Sequence, residues 1–176
     1  MKILKWLFGL IAVLAALIVA GGLLISPKFQ VTRSVTVNAP ADKIYALVAE
    51  PRRWNDWAVW NKRDPAMEIS YSGPESGSGA GWAWKSKTEG DGRMKFTTAE
   101  PGKRLAYELF FPDFGTTSLG DFRFEAAGAA TKVSWIMNGD MGSNPVFRWF
   151  ALFMDSMVGK DFESGLANLK ALAERP

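Results

Sequence analysis

The side chains that most often carry acid–base, nucleophilic and metal chemistry are missing from this chain. Its 176 residues include no histidine and no cysteine. Ser-His-Asp and Cys-His catalysis, thiolate metal sites, disulfides and proximal-histidine haem are thereby excluded. A buried carboxyl of raised pKa is the usual substitute for histidine. Tyr107, its sequence neighbour Glu108 and an aspartate are what remains for such a role. In an extended strand, however, Glu108 points away from the face that carries Tyr107. Asp113, Asp140 and Asp155 have no spacing that builds a metal cage, and no calcium-loop pattern is present. The glycines of Gly73–Gly81 (GPESGSGAG) are followed by a strand pattern, whereas a phosphate loop must open a helix. They are expected to form a hairpin loop, and no cofactor or metal is implied.

Apolar and aromatic groups offer a different chemistry, that of enclosing an apolar molecule. Alternation places Trp82 and Trp84 on one face of their strand and Lys85 and Lys87 on the other. Met94 and Phe96 oppose Arg93 and Lys95; Phe122 and Phe124 oppose Asp121, Arg123 and Glu125; Val133, Trp135 and Met137 oppose Lys132 and Ser134. Leu105, Tyr107, Leu109 and Phe111 share one face, and Tyr107 and Ser86 are the few polar groups on the inner side. Trp54, Trp57 and Trp60 recur every third residue and line one side of a helix, where they cap a core or close one end of a cavity. The candidate ligand-binding residues are Trp54, Trp57, Trp82, Trp84, Ser86, Met94, Phe96, Tyr107, Phe122, Trp135, Phe150, Met154 and Met157. Ordinary core packing and an incompletely filled apolar cavity are both compatible with this pattern.

These side chains need elements to position them. Phe29–Asn38 is β-branched and alternating, hence a strand; Pro40 and Asp42 open a short helix through Ala49, closed by Pro51. Arg52–Trp60 reads as a second short helix or turn. Six more strand patterns follow at Glu68–Ser72, Gly81–Lys87, Gly92–Ala99, Arg104–Phe111, Ser118–Ala126 and Lys132–Asn138, separated by breaks holding Gly, Pro, Asp or Asn. From Asn144 and Pro145 the period becomes three to four, through Phe150, Met154, Met157, Phe162, Leu166 and Leu169. This predicts one amphipathic helix of about 28 residues, bent or frayed at Gly159 and Gly165. The sum is an α+β domain, a curved antiparallel sheet with a long helix lying across it.

The amino terminus is of another kind. Trp6–Ile25 is an apolar run without a charge or amide, about 30 Å long as a helix, the thickness of a bilayer's hydrocarbon core. It is longer than a signal-peptide core and lacks a clear cleavage site. Residues 1–28 are therefore expected to be a single-pass membrane anchor and residues 29–176 the folded domain. Lys2 and Lys5 crowd the N-terminal flank, which favours a cytoplasmic N-terminus and an exported domain. Lys2, Lys5 and Lys28 account for the whole formal charge of +3. The neutral remainder has no footprint for nucleic acid.

The order of elements and three segments resemble the START-like, helix-grip (SRPBCC) superfamily, specifically its polyketide cyclase/dehydrase-like group. The segments are VNAPADKIYALVAEPRRWNDW (Val37–Trp57), YSGPESGSGAGWAWKS (Tyr71–Ser86) and DFESGLANLKALAE (Asp161–Glu174), within a resemblance running from Phe29 to Glu174. It implies about seven strands wrapped on a C-terminal helix, with two short helices after strand one. It also implies a lipid or other apolar small molecule as partner. The family includes carriers, receptors and aromatase/cyclases, so an interaction or regulatory module at the membrane and a cyclase/dehydratase-type enzyme stand as alternatives.

Overall fold

The computed structural model describes residues 2–176. Helix α1 (Lys2–Leu24) leads into strand β1 (Lys28–Val37), helix α2 (Ala41–Ala49), a single 3-10 turn (Pro51–Arg53) and the one-turn helices α3 (Trp54–Trp57) and α4 (Trp60–Arg63). Six strands follow: β2 (Glu68–Ser72), β3 (Gly81–Lys85), β4 (Gly92–Glu100), β5 (Arg104–Phe111), β6 (Thr116–Ala127) and β7 (Ala130–Asp140). Helices α5 (Pro145–Ala151) and α6 (Met154–Ala173) close the chain.

The strands form one antiparallel sheet in the order β1-β7-β6-β5-β4-β3-β2. Sequential strands from β2 to β7 are neighbours because their connections are short turns, and only β1 crosses over to pair with β7. Gly128, with φ +67°, supplies the left-handed conformation that the two-residue turn between β6 and β7 requires. Gly73–Gly81 joins the antiparallel pair β2 and β3, as its pattern predicted. The strand β3 ends two residues before its expected limit. Ser86 donates to Asp64 Oδ2 at 2.6 Å and accepts from the Glu89 backbone N–H at 2.9 Å, which turns the chain away from the sheet.

The predicted 28-residue helix is two helices. Asn144 starts α5 as expected, accepting from the Val146 N–H at 2.9 Å with Pro145 in the first turn. The break falls at Leu152–Phe153 and not at a glycine. Gly159 and Gly165 have another purpose. A side chain at Gly159 would occupy the place of the Arg33 guanidinium, and one at Gly165 would come within 3.2 Å of Trp135 and 3.6 Å of Trp57. Both are points of close approach between α6 and the body of the domain, and the helix runs unbroken through them.

Arg33 fastens α6 to β1, donating to Asp155 at 2.8 Å and to Glu163 at 2.5 Å. Glu174 accepts from Lys170 at 2.8 Å and from the Asn38 N–H at 2.7 Å. Hydrogen bonds from Arg33 hold the Asp155 carboxyl below the usual range, and those from Lys170 and Asn38 do the same for Glu174. A carboxyl whose folded pKa lies below its unfolded value contributes stability that is complete above the unfolded value, about 4, and is lost as pH falls through the folded one. The melting temperature is therefore expected to fall below about pH 4. The double variant Asp155→Asn/Glu174→Gln should flatten that acid limb in a series of thermal melts. An unaltered limb would assign acid sensitivity to other carboxylates.

Candidate functional site

The inner face of the sheet is divided into a packed half and a hollow half. In the packed half, the Trp135 ring stacks on Phe162 of α6 at 3.8 Å between centroids and 6° between planes, and on Phe122 at 4.7 Å. Trp54 and Trp57 pack beside them and donate their indole N–H groups to the carbonyls of Val48 and Leu47 at the end of α2. Every third residue does bring Trp54, Trp57 and Trp60 to one side of the chain, but the helix between them is broken at Ala58–Val59. Trp57 is wholly buried, whereas Trp60 stands at the boundary and donates to Asp161 of α6 at 3.2 Å.

In the hollow half lies a cavity of about 640 Å³ between β1–β7, α4, α5 and α6. Of the residues expected from the sequence, Trp54, Trp82, Trp84, Met94, Tyr107, Phe150, Met154 and Met157 line it. Trp57, Phe96, Phe122 and Trp135 do not. Their rings pack on one another and on neighbouring aromatic rings, and fill the closed half as core. Ser86 lies outside the cavity as well, because the strand that would have turned it inward has already ended. Leu109, Phe111 and Met137 join the wall, as strand parity allowed. Trp60 is a wall residue too, at the cavity end that its spacing from Trp54 and Trp57 pointed to, whereas Phe29, Ile69, Phe114 and Phe147 are brought there only by tertiary placement.

Three glycines keep this half hollow. Tyr107 pairs across the sheet with Gly120, Trp84 with Gly92, and Phe29 with Gly139. In each pair a side chain on the glycine would collide with the partner's ring. The rings therefore lie flat over bare backbone and do not stand up into the space above the sheet. Aromatic residues over cross-strand glycines also cover the exposed peptide groups there. Three large inward residues thus occupy little of the depth that parity alone would give them.

The cavity wall is mostly apolar; Thr116 and Ser118 of β6 add hydroxyls, and two further polar places stand out. One is Tyr107, 1% exposed, whose hydroxyl accepts the Trp135 indole N–H at 2.7 Å. Its own proton has no acceptor within hydrogen-bond distance among the described residues. Burial, opposed by the bond from Trp135, pushes the phenol well above its ordinary pKa, so it stays protonated and acts as a donor. The other place is the rim between α4, the β3–β4 loop and α6. There Arg63 binds Glu89 at 2.9 Å and Asp161 at 2.8 Å. Asn55 donates to Tyr71 at 2.9 Å and contacts Asn61. Both rim carboxylates are engaged by Arg63, and Glu108 is exposed on the outer face of β5. Among the described residues no group of three or more acids could hold a metal ion.

The profile of the family described as polyketide cyclase/dehydrase and lipid transport matches residues 28–174. Solved structures share the fold at low identity. A norcoclaurine synthase point mutant from Thalictrum flavum, in complex with a transition-state analogue, superposes with a TM-score of 0.63 at 12% identity, over 84% of this chain and 95% of that one. A protein from Chromobacterium violaceum gives 0.62 at 12% identity, over 84% and 99% of the two chains. The di-domain ARO/CYC protein BexL of the BE-7585A biosynthetic pathway gives 0.59 at 19% identity, over 85% of this chain and 52% of that one. No curated protein matches the sequence.

Proposed function

Since the chain belongs to the polyketide cyclase/dehydrase and lipid transport family, we propose that it is a membrane-anchored module holding one lipid or other apolar small molecule between its sheet and its C-terminal helices. The observation that carries this reading is the cavity itself. About 640 Å³ lined by aromatic, aliphatic and thioether groups lies within the range of small-molecule sites, which combine an apolar lining with a few placed polar groups. Tyr107 supplies one such group, a neutral donor suited to a carbonyl or hydroxyl oxygen of the ligand. The candidate contacts are Trp54, Trp82, Trp84, Met94, Tyr107, Phe150, Met154 and Met157. A cyclase-type reaction finds less support. The raised pKa of Tyr107 makes it a poor base at neutral pH, and the rim carboxylates are paired with Arg63.

Two features support reading residues 1–28 as the anchor and residues 29–176 as the binding domain. Helix α1 is long and apolar enough to cross a membrane, and it is exposed along nearly all its length, unlike a buried core helix. In this reading the N-terminus is cytoplasmic and the domain exported, following the basic residues before the span.

The test is the content of the purified protein. Full-length chain extracted in mild detergent should carry about one equivalent of a defined apolar molecule. The α1 segment fused to an unrelated soluble domain should carry only the mixed lipids of its surroundings. Tyr107→Phe keeps the ring but removes the hydroxyl and leaves the Trp135 N–H unpaired, so it should cost about 1 to 3 kcal/mol of stability. It should also weaken retention of an oxygen-bearing ligand by about tenfold, the equivalent of one hydrogen bond. Identical lipid profiles for the full chain and the fusion would overturn the reading.

A further inference from the structure

Phe114, Thr116, Phe147 and Phe150 form the cavity wall at the end of the domain where α1 joins β1. Phe114, at the tip of the β5–β6 hairpin, meets Phe147 of α5 at 6.4 Å between ring centroids, and Phe147 meets Phe150 at 6.5 Å. On the β5–β6 tip, α5, the α5–α6 break and the start of α6 the domain exposes large apolar groups. Phe114 is 54% exposed, Phe150 48%, Leu152 59%, Phe153 54% and Met157 59%. In a water-soluble domain several apolar side chains this large are costly to leave in solvent near one another.

What covers them follows from how α5 is held. It docks on α1 at Gly21–Gly22. A side chain at Gly21 would come within 2.6 Å of the Trp149 indole, and one at Gly22 would overlap the Pro145 carbonyl. Trp149 donates its indole N–H to the Ile18 carbonyl at 3.0 Å, and Arg148 reaches the Leu23 carbonyl at 3.4 Å. Ile18 lies six residues before the end of α1, about 9 Å along the helix axis. The contact is therefore made within the apolar span, not beyond it. A helix gripping the span at that depth lies where the acyl chains meet the headgroups.

We propose that α5, Leu152–Phe153 and the tip of the β5–β6 hairpin sit in the headgroup–acyl boundary of the bilayer that α1 spans, so that the cavity opens onto the membrane and its ligand enters without crossing water. This rests on the reading of α1 as an anchor and names the source of the ligand, the bilayer itself. The diglycine notch fixes the angle of the domain against the span. The break at Leu152–Phe153 has a role in this arrangement, since it lets α5 lie on α1 while α6 stays on the sheet. Short helices with exposed aromatic and aliphatic groups on one side bury them about 5 to 10 Å deep in such a boundary.

The absence of cysteine makes the test direct, because any introduced cysteine is the sole labelling site. Leu152→Cys, Phe114→Cys and Lys103→Cys, the last in the turn at the opposite end of the sheet, would each be made in the full-length chain and labelled with a nitrobenzoxadiazole fluorophore. The protein would then be reconstituted into vesicles of phosphatidylcholine and phosphatidylglycerol. Lipid carrying a nitroxide on its acyl chain should quench the labels at 152 and 114 at least threefold more than the label at 103. Equal quenching at all three sites, in a chain that floats with the vesicles, would overturn the proposal while leaving the anchor and the cavity standing. A chain that does not float would overturn the anchor and this proposal together. Ligand retention, measured separately, reports on the cavity alone.

Discussion

Trp135→Ala is expected to remove about 3 to 5 kcal/mol of stability, the cost of truncating a buried aromatic residue. That is a large part of what a domain of this size holds in reserve, about 5 to 15 kcal/mol. Three of its interactions disappear at once. The indole loses its stack on Phe162 at 3.8 Å and on Phe122 at 4.7 Å, and the Tyr107 hydroxyl loses the N–H it accepts. Trp84→Ala is the comparison that gives the first result meaning. Trp84 also faces inward from a strand, but one side of its ring borders the cavity and the other lies over Gly92. Its removal deletes fewer contacts and should cost about half as much. Urea unfolding of both variants in the full-length chain in detergent, followed by tryptophan fluorescence, measures the two losses. Equal losses would mean that the hollow half is packed like the core.

The second large effect is on binding. Gly120→Val puts a branched side chain where the Tyr107 ring lies. The ring must then tilt upward, which breaks its bond with Trp135 and fills the floor of the cavity. Retention of the co-purified apolar molecule should fall at least tenfold, and overpacking of this kind should cost about 1 to 3 kcal/mol. Leu119→Ala, at the exposed neighbour, should change neither quantity. A Gly120→Val protein that is destabilised yet retains its ligand in full would place the ligand elsewhere in the molecule. The same substitution at Gly92 or Gly139 tests the other two walls independently.

These predictions depend on features that were unequally legible in the chain. Parity along β5 and β7 identifies Tyr107, Leu109, Phe111, Trp135 and Met137 as inward-facing, and all five are inward. The same parity treats Trp135 and Trp84 alike, although one is the hub of the core and the other a cavity wall. Ser86 follows the parity of Trp84 and still falls outside, because its own hydroxyl ends the strand by bonding to Asp64 and to the backbone after it. The glycines show the same limit. Gly159 and Gly165 read as weak points of a helix because propensity is a local property. Their actual role is set by Arg33 and Trp135, which arrive from strands distant in sequence.

The class of fold, the order of its elements, the facing of most strand residues, the apolar run at the amino terminus and the exclusion of histidine and cysteine chemistry are all written in the chain itself. All of these follow from interactions over a few residues: alternation every two, helical recurrence every three to four, and the length of an uncharged run. Where the domain is solid and where it is hollow is settled by long-range packing. That depends on cross-strand register, which sets Tyr107, Trp84 and Phe29 against glycines and Trp135 against Phe122. The same packing also decides that the last helix breaks at Leu152–Phe153 and that α5 rests on Gly21–Gly22 of α1. The physical reason is that an inward-facing side chain is specified by its own strand, whereas the space it meets is specified by whichever residue the fold places opposite.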